Sequence, residues 1–152
     1  MTFSLSSETE PVKTMHDLIN DSWIVTEDFP RPELYISNDA NDITNRLDNS
    51  TVDTILISPG SGEQYKYRGN IQYYDRIYQI KLIIQTADSR QRLRDLWKMV
   101  RAIIFDNKHL FSGYQLIVMQ RYAELLNTDL NIWRAEINLQ LESHGIPADT
   151  LL

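Results

Sequence analysis

Between Tyr78 and Gln85 the chain alternates, with Tyr78, Ile80, Leu82 and Ile84 on one side and Gln79, Lys81 and Gln85 on the other. That period of two predicts a half-buried strand, in which Ile83 is the one apolar residue on the polar side. After Thr86-Ala87 the period changes. Leu93, Leu96, Trp97, Val100, Ile103 and Ile104 recur every three or four residues, the stripe of an amphipathic helix, while Arg90, Arg94, Lys98 and Arg101 lie largely off it. Asp88 is placed to cap this helix, with Gln91 three residues later at capping-box spacing. Six large apolar side chains at about 1.5–3 kcal/mol each are worth roughly 10–15 kcal/mol before entropy is charged, so the stripe must be covered, and the preceding strand is the nearest surface.

The other elements follow the same logic. Val12, Met15, Leu18, Ile19 and Trp23 form the apolar stripe of a first helix from Pro11 to Trp23, with Thr9 or Glu10 as its cap and Pro11 in its first turn. Pro30 and Pro32 enforce an extended run that leads into a short strand, Leu34 to Ser37. Asn38 to Asp53 reads as a long loop anchored by Ile43, Leu47 and Val52. Thr54 to Ser58 reads as a strand, and Pro59-Gly60-Ser61-Gly62 as a turn or flexible loop. Gln115 to Tyr122 is a β-rich strand and Glu124 to Leu130 a connector. In the last strand Trp133, Ala135, Ile137, Leu139 and Leu141 alternate with Arg134, Glu136, Asn138, Gln140 and Glu142. The elements predict one α/β (α+β) domain over residues 11–145, a mainly antiparallel sheet with two helices packed on one face. A flexible segment, 1–10, precedes it and a fraying tail, 146–152, follows.

Composition narrows the chemistry. The 152 residues contain no cysteine, which removes disulfides, thiolate metal sites and cysteine nucleophiles. The acidic, polar start lacks the features of a signal peptide, and no stretch reaches the roughly 18 apolar residues of a membrane span. His16, His109 and His144 stand far apart in different contexts, so no catalytic constellation emerges and no enzyme activity is expected. Asp39, Asn41, Asp42, Asp48 and Asp53 are spaced somewhat like a calcium loop, yet Ile43 occupies a ligand position and the mid-loop glycine is missing. Gly60-Ser61-Gly62 lacks the Gly-Lys-Ser/Thr of a phosphate loop. No metal or cofactor is expected.

Charge is segregated along the chain. Residues 65–101 carry nine bases against three acids, a balance of +6, whereas residues 1–64 carry twelve acids against three bases and residues 102–152 six against three. Five of the eight tyrosines, Tyr65, Tyr67, Tyr73, Tyr74 and Tyr78, lie in or beside the basic part. Basic residues among tyrosines could bind nucleic acid, but the net charge of −6 runs against that reading. The alternatives are a solvated helix face, or acidic and basic parts that meet between neighbouring copies. On the last reading, Arg94, Lys98 and Arg101 face an acidic loop of the adjacent copy through Asp42 and Asp48. Leu125, Leu126 and Leu130, stranded in a short connector, either tuck under the sheet or contact another subunit.

The order of elements resembles that of a tail terminator (tail completion) protein of tailed viruses. The likeness is carried by the helix Pro11 to Trp23, the Pro30-x-Pro32 entry and the strand Asp53-Thr54-Ile55-Leu56-Ile57. It continues through Tyr73-Tyr74-Asp75-Arg76-Ile77-Tyr78, the strand Ile80 to Thr86 running into Leu93-x-x-Leu96-Trp97, and the strand opened by Trp133. The resemblance covers nearly all of the chain as a pattern rather than a signature motif. It implies a structural virion protein that forms a homohexameric ring at the head-proximal end of the tail tube, ends tail polymerisation and joins the tail to the head connector. It further implies tail tube and connector or neck proteins as partners, with genome DNA passing through the lumen without specific binding. Assembly would take place in the host cytoplasm. A nucleic-acid-binding module, or another neck protein such as a head-completion or stopper protein, is the alternative expectation.

Overall fold

The computed structural model describes residues 10–36, 52–67, 72–107, 111, 113–127 and 131–147. Two helices, α1 (Pro11–Ser22) and α2 (Arg90–Asp106), accompany five strands: β1 (Glu33–Ile36), β2 (Thr54–Tyr67), β3 (Tyr73–Thr86), β4 (Leu116–Asn127) and β5 (Ile132–Pro147). The strands form one sheet in the order β1-β2-β3-β5-β4. β1 runs parallel to β2, and the remaining neighbours are antiparallel. The expected mainly antiparallel sheet with both helices on one face is therefore the observed fold.

The core forms where the two periodicities meet. Val12, Met15, Leu18 and Ile19 of α1 and Leu93, Leu96, Trp97, Val100 and Ile104 of α2 bury against one face of the sheet. That face is built by Ile55 and Ile57 of β2, Ile80, Leu82 and Ile84 of β3, and Ala135, Ile137, Leu139 and Leu141 of β5. Trp23, just beyond α1, is buried and donates its indole N–H to the carbonyl of Phe29 at 3.3 Å, which fixes the chain as it turns toward β1.

Four local expectations change. The cap of α2 is Ser89, whose hydroxyl accepts the Arg92 N–H at 3.1 Å. Asp88 is held one step earlier, its N–H donating to the Thr86 hydroxyl at 3.3 Å. Pro59 to Gly62 is not a turn: β2 continues through it, with an irregularity in its register against β3. Among the described residues β1 covers only Thr54 to Ile57, so Pro59 lies where no described strand on that side requires a ladder donor. Ile83 is buried despite its place on the helix-free face, where it packs with Leu56 and Tyr35. β4 runs on to Asn127, opposite Ile132, through residues expected to form a connector.

At the far end of β3 and β5 the register shifts between Tyr74 and Arg76. Gly145 adopts φ +67° there, and its N–H donates to the buried Asp75 carboxylate at 3.1 Å. A Cβ at Gly145 would meet no neighbour within 4 Å, so the demand for glycine is set by the backbone alone. Gly145→Ala is expected to lower stability by about 1–2 kcal/mol. An unchanged denaturant midpoint would show that the bulge relaxes freely.

Candidate subunit interface

β4 is an edge strand: β5 pairs with one side of it and, among the described residues, no strand pairs with the other. Its residues alternate between the two faces of the sheet. Ile117, Met119, Tyr122, Glu124 and Leu126 share the helix-covered face with Leu141, Leu139, Ile137, Ala135 and Trp133. Leu116, Val118, Arg121, Ala123 and Leu125 share the other with Glu142, Gln140, Asn138, Glu136 and Arg134. Both faces are apolar at the rim. Leu125 is 50 % exposed and Leu126 45 %, with Leu116, Val118 and Met119 similarly open. The two leucines therefore do not tuck under the sheet. An open backbone edge flanked by five exposed apolar side chains is a template for pairing with another chain, relieved among the described residues by Gln120, Arg121 and the irregularity beside Met119.

A buttress behind the edge holds it to α2. Glu124 accepts hydrogen bonds from Arg90 Nε at 2.6 Å, Arg94 Nε at 3.1 Å and the Tyr122 hydroxyl at 2.9 Å, and the Tyr122 ring stacks on Trp97 with centroids 6.0 Å apart. This corrects the expected role of Arg94: its acid is Glu124 of the same chain, thirty residues away in sequence but adjacent across the helix–strand junction. Burial works against the Glu124 charge, but the donors Arg90, Tyr122 and Arg94 together outweigh it and hold the carboxyl below its ordinary value. Stability from this group is thus present above the unfolded carboxylate range and is lost as pH falls through the lowered folded value.

Tyr122 shifts the other way. Burial, then the hydrogen bond to Glu124 and its charge, push the phenol up to about 12. The un-ionised phenol stabilises the fold below the ordinary tyrosine value near 10, and that contribution disappears as pH rises toward 12. In an ultraviolet titration, one tyrosine is expected to ionise about two units late, and Tyr122→Phe should remove that phase. If the late phase survives the substitution, the phenol against Glu124 is not its source.

The remaining sequence-identified residues divide clearly. Lys98 and Arg101 are exposed on α2, and neither forms an ion pair among the described residues. Asp42, Asp48 and Leu130 lie outside the described residues, as does most of the loop that holds the two acids. Asp53, at the end of that loop, is taken by Arg92 at 2.7 and 2.9 Å, while the Arg92 guanidinium lies 4.7 Å from the Phe29 ring. Further basic residues meet acids of the same chain, Arg76 with Glu63 at 3.3 Å and Lys81 with Glu136 at 3.6 Å. Much of the basic bias in the middle of the sequence is met by acids folded back onto it, which weakens the nucleic-acid reading. Tyr65 and Tyr74 likewise pack on each other at 5.5 Å.

Sequence reasoning missed the polar cluster at the far end of the sheet. There the Arg76 guanidinium donates to the Gly113 carbonyl at 3.0 Å and lies over the Tyr114 ring, while His144 Nδ1 sits 3.3 Å from Asp75. The available signal was Asp75-Arg76, two charged residues in succession beside a stretch that otherwise alternates apolar and polar. Its contacts are structural, tying β2, β3, β5 and the approach to β4 together. Among the described residues no group of three or more His, Asp or Glu is placed to hold a metal ion, and no helix is long and apolar enough to cross a membrane. Compared with known proteins, the chain matches no protein-family model and no curated protein.

Proposed function

We propose that this chain is a ring-forming structural protein of a virion neck, acting as a tail terminator. Six copies close at the head-proximal end of the tail tube, stop its growth and join it to the head connector. The observation that supports this reading best is β4, an edge strand of twelve residues with apolar side chains exposed on both faces and a buttress of Arg90, Arg94, Glu124 and Tyr122 behind it. A monomer gains nothing from holding such an edge rigid and open, whereas a ring subunit needs one. Tail tube protein and neck proteins are the partners on this reading, and the virion is the place of action after assembly in the host cytoplasm. Negative-stain electron microscopy of the purified protein is expected to show closed rings with a central opening. Fields of dispersed particles of single-subunit size would overturn the proposal.

A further inference from the structure

We infer that the contact between copies is head-to-tail, with β4 of one copy adding antiparallel to β1 of the next. This inference rests on the ring reading and specifies its interface. Among the described residues, no strand pairs with the outer side of β1, the other edge of the sheet. The pairings place both edges at one level: Glu33, Thr54, Gln85, Arg134 and Leu125 form one row across the five strands, and Tyr35, Leu56, Ile83, Glu136 and Ala123 form another. The four residues of β1 therefore stand level with the stretch of β4 from Tyr122 to Leu125. β4 runs antiparallel to β1 within the chain, so a neighbour placed by simple rotation continues the sheet with antiparallel pairing.

Charge disfavours the like-edge alternative. On the helix-free face β4 carries Arg121 and β1 carries Glu33, and neither forms an ion pair among the described residues. Joining unlike edges at this level sets Glu33 beside Leu125, four residues along β4 from Arg121, so no like charges meet across the seam. Pairing β4 with a second β4 about its middle would instead bring two Arg121 side chains together on one face, an unfavourable cross-strand pair. The exposed Ile36 at the end of β1 and Leu125 and Leu126 on β4 supply apolar surface to the same seam. Unlike edges also let addition continue from copy to copy until a ring closes, which a like-edge dimer does not.

The absence of cysteine makes the test clean. Glu33→Cys is combined in turn with Arg121→Cys, Ala123→Cys and Leu125→Cys, all on the helix-free face, and each protein is oxidised and run on a denaturing gel beside the single variants. At least one double variant is expected to give a ladder of dimer, trimer and higher species, with the single variants remaining monomeric on the gel. A covalent dimer from Leu125→Cys or Arg121→Cys alone would overturn the inference in favour of like-edge pairing. Oligomers in solution with no ladder from any double variant would overturn it while leaving the ring reading standing. A monomeric mass for the unmodified protein would overturn both.

Discussion

Trp97→Ala is expected to destabilise the fold by about 3–5 kcal/mol, and Leu139→Ala by about 2–5 kcal/mol. Trp97 lies mid-way along α2, 6 % exposed, with its ring stacked on Tyr122 of β4, so its removal opens a cavity and strips the aromatic wall from the Glu124 buttress. Leu139 is fully buried on β5, opposite Ile80 of β3 and Met119 of β4, in the part of the sheet that both helices cover. Neither site can collapse readily, because each is bounded by a helix on one side and hydrogen-bonded strands on the other. Denaturant melts measure both. Midpoints equal to the parent's would mean that these side chains do not hold the two layers together.

Changing Leu125 and Leu126 together to serine is expected to raise the dissociation constant of the oligomer by roughly ten- to a hundredfold while lowering the monomer's stability far less than a core substitution such as Leu139→Ala. The separation of the two readouts follows from exposure: both side chains are about half open in the folded chain, so the fold loses little apolar burial when they go. In a ring the open half of each would be covered, and about 0.8–1.5 kcal/mol per leucine accounts for the loss. Analytical ultracentrifugation of the variant over a concentration series gives the constant, and a parallel thermal melt reports the fold. Unchanged assembly would remove β4 from the subunit contact.

The parts of the fold that the sequence made legible are those where one side of an element is dry and the other wet. β5 alternates over nine residues because α2 and α1 cover one face only, and the stripe of α2 persists for the same reason. The sequence pattern ends β4 at Tyr122 because an edge strand with both faces open at the rim loses its alternation: Leu125 and Leu126 are adjacent, and both are exposed. Pro59 to Gly62 carries the composition of a turn, yet β2 runs through it in pairing with β3, beyond the residues that the described part of β1 covers. Ile83 breaks the alternation of its strand because its partners, Leu56 and Tyr35, come from two other strands. The Arg94–Glu124 contact joins residues thirty positions apart, and local spacing carries no trace of it.

Sedimentation at moderate salt, with and without added double-stranded DNA, tests the central claim most directly. The account predicts one species near six times the 17.8 kDa chain mass, unchanged by DNA. A species of 17.8 kDa that becomes heavier only when DNA is added, and loses it again as salt is raised, would contradict a ring-forming neck protein and identify a nucleic-acid-binding module instead.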